Sequence, residues 1–262
     1  MPKIAILSDV HSNLPALKAV LRDVAETGAD QILFGGDTVG YAAQPDECVS
    51  LVRQTGGICV LGNHDFYTLA VRQDPENLPS PRIWKKNPVW AGVELAARTL
   101  GEDNAAWLGA LPGVLKIPGA ILSHSALHDL GDWPYIQSLK DARPTLSILR
   151  ETGDGIGFFG HTHRQEIFYE PKDAIIPERL DSTRMHLPEG VVCTVIVGSV
   201  GQPRDNDLRA AWVLWDSDKR IVEFRHTEYP ALETAREIIL TGLPKESALR
   251  LLSAKEARLL NV

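Results

Sequence analysis

The sequence predicts an α/β fold, on three observations. Strand-like and helix-like periods alternate over the first sixty residues, strand-like runs return after residue 113, and a helical stretch lies between. Alternation of this kind marks a parallel sheet built from strand–helix–strand crossovers. Lys3 to Ser8 is a short apolar run. Asn13 to Glu26 carries Leu14, Leu17, Val20, Leu21 and Val24 at helical spacing, with Asn13 placed to cap it and Pro15 suited to its first turn. Gln31–Phe34 is a second strand, Asp46–Arg53 a second helix and Gly57–Leu61 a third strand.

From Asp65 to Leu111 the pattern is mostly helical, punctuated by Pro79, Pro81 and Pro88. Trp84, Trp90 and Trp107 fall there at loosely helical spacing and are expected in a core between helices. Strand-like runs resume at Val114–Ile117, Ala120–Ser123, Gly155–Phe159, Ile167–Tyr169, Val191–Val197, Ala210–Trp215 and Ile221–Phe224. The last two flank Asp216-Ser217-Asp218, which predicts an antiparallel hairpin. Thr234 to Leu260 reads as two helices broken around Gly242-Leu243-Pro244. One domain over residues 1–262 is expected, with a helical insertion at 65–111, a lid-like segment at 127–152 and C-terminal helices at 230–262.

With 262 residues, 44% of them apolar, a sizeable core is available, which excludes disorder and stapled miniproteins. The formal charge of −7 gives no global support for binding nucleic acid or an anionic membrane. Cys48, Cys59 and Cys193 are odd in number and scattered, which argues against a disulfide framework or thiolate zinc site and fits a reducing compartment. No cleavable leader pattern opens the sequence and no apolar run nears the ~20 residues of a membrane helix, so a soluble, cytoplasmic protein is expected.

The chemistry lies in the residues at the end of each strand. The first run ends in Asp9 and His11, the second in Asp37, the third in Asn63 and His64. GAILS ends in His124, and GIGFFG in His161 and His163. Five strands thus deliver carboxylate, imidazole or carboxamide groups at their carboxyl ends, where open α/β sheets bind ligands. Glycines before Asp37, Asn63 and His161 are expected to allow a sharp exit from strand to loop. Oxygen and nitrogen ligands without thiolate suit Mn, Fe or Zn. Residues at i and i+2 of extended backbone point the same way, so Asp9 and His11 are expected to grip one ion together and His161 and His163 to share a pocket. Two Asp, one Asn and four His exceed what one ion needs and suit two divalent ions sharing a carboxylate. Two ions about 3.5–4 Å apart can hold a hydroxide between them and clamp an in-line displacement at phosphorus.

The set Asp9-Val10-His11, Gly36-Asp37, Gly62-Asn63-His64-Asp65, His124 and Gly160-His161-Thr162-His163 resembles the calcineurin-like metallophosphoesterases, most closely their small bacterial and archaeal phosphodiesterases and phosphatases. The resemblance implies a two-sheet β-sandwich flanked by helices, with a helical insertion. It implies that Asp9, His11 and His163 hold one ion, that Asp37 bridges, and that Asn63, His124 and His161 hold the second. His64 would contact the phosphate and protonate or stabilise the leaving oxygen, and Asp65 would orient His64. Residues 198–205 resemble a further family segment in which Ser199 and Arg204 would meet substrate, although Ile196 and Val197 replace its usual Asn-Pro pair. The implied partner is a small phosphoester, nucleotides among them.

Each piece alone has a plainer reading: Asp-x-His as a capped turn, Gly-His-x-His as a polar loop. Five strands placing such residues at one end by accident is far less plausible. Asn13 is either a helix cap or a phosphate-side group. Asp132-Trp133-Pro134-Tyr135 is either a lid on which a base stacks or local packing, and Tyr41 carries the same ambiguity. His128, His186 and His226 lie outside the motifs and are expected at the surface or core edge. A non-catalytic scaffold of the same fold is the competing reading. A DNA nuclease is a weaker one, opposed by the net charge.

Overall fold

The computed structural model describes residues 3–80, 83, 85–170 and 175–260. Its strands are β1 (Lys3–Leu7), β2 (Gln31–Phe34), β3 (Ile58–Cys59), β4 (Val114–Ile117), β5 (Ala120–Ser123), β6 (Ile156–Phe159), β7 (Gln165–Tyr169), β8 (Glu178–Arg179), β9 (Arg184–His186), β10 (Cys193–Val197), β11 (Ala210–Asp216) and β12 (Ile221–Thr227). They form a seven-stranded sheet in the order β3-β2-β1-β11-β12-β9-β8 and a five-stranded sheet in the order β4-β5-β6-β10-β7. Within the first, β1, β2 and β3 run parallel; within the second, β5, β6 and β10 do. The expected hairpin is β11 paired antiparallel with β12.

Period-two alternation builds the sandwich. Ile4 and Ile6 of β1 cluster with Leu122, Phe158, Val195 and Trp215 between the sheets. Their neighbours Ala5 and Leu7 pack with Leu17 and Val20 of α1 (Leu14–Thr27) and with Trp212. A strand covered on both faces reads as a continuous apolar run, which is what KIAIL is. On the outer face of the second sheet, Ala142 and Leu146 of a helix over Leu139–Thr152 meet Phe159 and Ile196. That helix is therefore a packing element, and only residues 127–138 remain as a loop beside the site. Ile196 and Val197, the replacements for Asn-Pro, lie buried inside β10.

The other helices are α2 (Pro45–Gln54), α3 (Asn63–Gln73), α4 (Pro88–Thr99) and α5 (Glu102–Gly109); the Leu139–Thr152 helix is α6. The C-terminal region holds α7 (Ala231–Leu240), α8 (Lys245–Leu249) and α9 (Ala254–Ala257), three helices where two were expected. The extra break has a cause: Ser253 caps α9 and Glu256 returns the bond to the Ser253 amide, starting a new helix. β8 is a short, exposed edge strand and β9 a three-residue strand between it and β12, both too short for apolar alternation to announce them. Among the described residues the largest buried side chains are Trp212 and Trp215, whereas Trp90 and Trp107 are half-buried among the helices. Pro81 and Trp84 lie outside the described residues. No helix among the described residues is long and apolar enough to cross a membrane. The three cysteines are free and buried.

Candidate active site

The carboxyl ends of β1, β2, β3, β5 and β6 meet at one rim, and with them seven side chains. Asp9, His11, Asp37, Asn63, His124, His161 and His163 are at most 6% exposed. Their donor atoms fall into overlapping groups. Asp9, His11 and His163 form one; Asp37, His124 and His161 form another; His11, Asp37 and His64 overlap both. Asp37 occupies the middle. Its Oδ1 accepts the His64 amide at 2.7 Å, leaving Oδ2 at 3.7 Å from His11 Nε2 and 3.3 Å from His124 Nε2.

The convergence has a different backbone basis from the one expected. Asp9, His11, Asp37, His161 and His163 have φ of 55°, 49°, 54°, 69° and 62°, so Asp9 and His11 are not in extended chain. Left-handed backbone is disfavoured for side chains with Cβ and tends to be retained at functional sites. Gly62 and Gly160 are required for close approach more than for a sharp exit, since a Cβ at Gly62 would overlap Asp37 and one at Gly160 would overlap Ser8 and Asp9. Asn63 and His64 open α3, so the helical region starts inside the motif, two residues earlier than expected.

Hydrogen bonds fix which ring nitrogens face inward. His11 Nδ1 donates to the Val39 carbonyl at 3.1 Å, His163 Nδ1 to the Gln202 carbonyl at 2.6 Å and His124 Nδ1 to the Gly35 carbonyl at 2.8 Å. His161 is turned round: its Nε2 donates to the Trp133 carbonyl at 3.0 Å, which leaves Nδ1 as its free acceptor. A carbonyl accepts only, so each bond commits that nitrogen's proton.

These residues fit metal ions. His11 Nε2 and His163 Nε2 lie 3.0 Å apart with their protons committed elsewhere, so two lone pairs face each other beside Asp9 Oδ1. Asp9 and Asp37 are buried carboxylates, a charge pattern that calls for compensation by cations. Burial pushes both carboxyls up, but His163 and His11 beside Asp9, and His124 and His64 beside Asp37, hold them well below the usual range. Burial drives His64 and His161 down to about 3 and His163 to about 4, which keeps each ring neutral with one nitrogen free of a proton. His124 moves the other way. Burial opposes its charge, yet Asp37 raises it to about 9, which marks the space beside Asp37 and Asn63 Oδ1 as one that stabilises positive charge.

Two expected placements are corrected and one open reading is decided. Asp65 does not touch the His64 ring: its oxygens accept the Val39 and Gly62 amides, both at 3.1 Å, clamping two loops of the site together. Asn13 is the helix cap, with Oδ1 accepting Ala16 N–H and Nδ2 donating to the Gly201 carbonyl. Ser199 is fully buried; its hydroxyl donates to the Asp9 carbonyl and accepts the Gln202 amide, so it staples the loop instead of meeting substrate. Arg204 does reach the rim. One Nη donates to Tyr41 Oη at 3.1 Å and to Gln202 Oε1 at 3.3 Å, while its buried Nε has no partner. The Tyr41 ring is packed 4.7 Å from both His11 and His64, so it is wall and not an open stacking face. His128, His186 and His226 stay outside the cluster, beside Thr145, Glu178 and Asp205 respectively.

Sequence reasoning does not find the carbonyls of Gly35, Val39, Trp133 and Gln202, which orient four imidazoles. They are main-chain groups, and residue type carries no signal for them.

A family model for calcineurin-like phosphoesterases matches residues 2–165. An uncharacterized protein of Methanocaldococcus jannaschii is 31% identical over 246 residues, covering 92% of this chain and 94% of the relative. Among solved structures, a metallophosphoesterase from Sphaerobacter thermophilus superposes with a TM-score of 0.76 at 28% identity, covering 95% of this chain and 98% of that one. A hypothetical protein from Pyrococcus horikoshii OT3 gives 0.77 at 17% identity over 95% and 97%, a likeness of fold. Motifs, two-sheet architecture and family match agree, and the chain belongs to the calcineurin-like phosphoesterases as a metal-dependent phosphoesterase.

Proposed function

We propose that this chain is a dinuclear hydrolase of small phosphate esters, nucleotides among them, working in a cytoplasmic setting. The supporting observation is the position of Asp37, whose one free carboxylate oxygen lies between His11 of one group and His124 of the other. Asp9, His11 and His163 would hold the first ion, Asn63, His124 and His161 the second, and Asp37 would be shared. Mn, Fe and Zn all suit this oxygen and nitrogen set. When bound, the ions supply a nucleophile at neutral pH and polarise the phosphoryl oxygens.

The chain's own groups complete the site. Arg204, steadied by Tyr41 and Gln202 and with its Nε unpaired, offers a planar fork to a non-bridging oxygen. His64, with an unpartnered buried ring nitrogen and a ring 4.8 Å from His11, would hydrogen-bond the phosphate or the departing oxygen. Asp65 would act through the backbone, holding Gly62 and Val39 so that Asn63, His64 and Asp37 keep their register. The direct test is elemental analysis of the purified chain, then assay of aryl phosphate mono- and diesters and a nucleotide panel with each metal restored. Two ions per chain and metal-restored hydrolysis are expected; no hydrolysis with any metal would overturn the reading.

A further inference from the structure

Aromatic side chains are distributed unevenly around the site. On the Asp9–His11–His163 side, Tyr41 is 7% exposed and spends its ring on His11 and His64 and its hydroxyl on Arg204. On the Asn63–His124–His161 side, Phe66 is 48% exposed and Tyr135 45%, and the half-buried Trp133 ring lies 6.2 Å from Phe66. Trp133 also meets His124 edge-on at 5.9 Å. Tyr135 lies flat on His161, with centroids 3.8 Å apart and planes 12° from parallel. One face of that ring is covered by imidazole, so its exposure comes from the rest of the ring. Trp133 is held at φ 52°, a left-handed conformation disfavoured for a bulky residue, with its carbonyl on His161.

We infer that Phe66, Trp133 and Tyr135 form a stacking platform for the base of a nucleotide whose phosphorus lies beside Asp37. This inference rests on the phosphoesterase reading and narrows its substrate class. Every nucleobase offers a π face, and stacking on exposed aromatic rings is its usual mode of capture. Three side chains are too small an area for a protein partner, which needs some twenty or more residues a side. An acyl chain would call for an aliphatic groove, and the exposed Asp129 and Asp132 beside the platform repel an anionic lipid surface. The platform touches His124 and His161 directly, so a base resting on it stays within reach of the metal-ligating rim through its own sugar.

The test titrates the manganese-loaded full chain, by calorimetry, with the non-hydrolysable phosphonate analogues of AMP and of ribose 5-phosphate. The AMP analogue is expected to bind about tenfold tighter or more, and Phe66→Ala and Tyr135→Leu are each expected to shrink that ratio at least about fivefold. A second readout needs no variant: the AMP analogue should quench tryptophan emission where the ribose analogue does not. Equal affinity of the two analogues for the wild-type chain would overturn the platform, as would a ratio unchanged in both variants. If the chain prefers the AMP analogue but hydrolyses no phosphoester with any metal, the hydrolytic reading fails and the platform stands.

Discussion

The two halves of the candidate ligand cluster are anchored differently. Asp9, His11 and His163 are at most 2% exposed, and their imidazoles donate to carbonyls of Val39 and Gln202 in tight loops packed at the strand ends. In the other half His124 is fully buried while Asn63 and His161 are 6% and 5% exposed, and His161 takes its orientation from Trp133 and Tyr135 on the 127–138 loop. One half is thus held by loops at the strand ends, and in the other His161 is held by a surface segment. Asp37 joins them, tethered to the α3 amide of His64. The contrast teaches that donor chemistry is similar in the two halves while anchoring is not, because different partners hold each ring.

Removing the shared group tests the comparison most severely. Asp37→Asn is expected to lower kcat/KM about a thousandfold, since metal-centred charge stabilisation is worth several kcal/mol, and to reduce bound metal below two ions per chain by elemental analysis. His64→Ala is expected to cost about a hundredfold in kcat with both ions retained. Loss of metal instead would mean that the His11, Asp37 and His64 overlap is itself a binding group.

A finer prediction concerns the halves themselves. Stepwise chelation is expected to leave one ion per chain, and His161→Ala to weaken only the ion lost first, by about tenfold or more. If His163→Ala and His161→Ala weaken the same ion equally, the halves are not distinct. The smallest effect is structural. Asn13→Ala is expected to cost about 1 kcal/mol of stability through the lost cap, a drop of about 2–4 °C in Tm, with KM unchanged. A raised KM would return Asn13 to the substrate side.

Much of this site is legible in sequence because strand period and ligand chemistry coincide: an apolar run of four to six residues ending in Asp, His or Asn places the group at a strand end. Asp9, Asp37, His124 and His161 are readable for that reason. The two misplaced roles and the one left open share another cause. Asn13, Ser199 and Asp65 are polar residues beside ligands, and type alone cannot tell a side chain that meets substrate from one that satisfies a buried amide or carbonyl. In the structure they do the latter. The turn that aims Asp9 and His11 escapes sequence reasoning because left-handed backbone at non-glycine residues has no compositional mark. β8, β9 and the break before α9 escape it because strands of two and three residues and a four-residue helix carry too little periodicity.

Anomalous diffraction from crystals grown with manganese addresses the account most directly. Two peaks are predicted, one bounded by Asp9, His11 and His163 and one by Asn63, His124 and His161, with the Asp37 carboxylate between them. A single peak at full manganese saturation, or two peaks with Asp37 bound to neither, would contradict it.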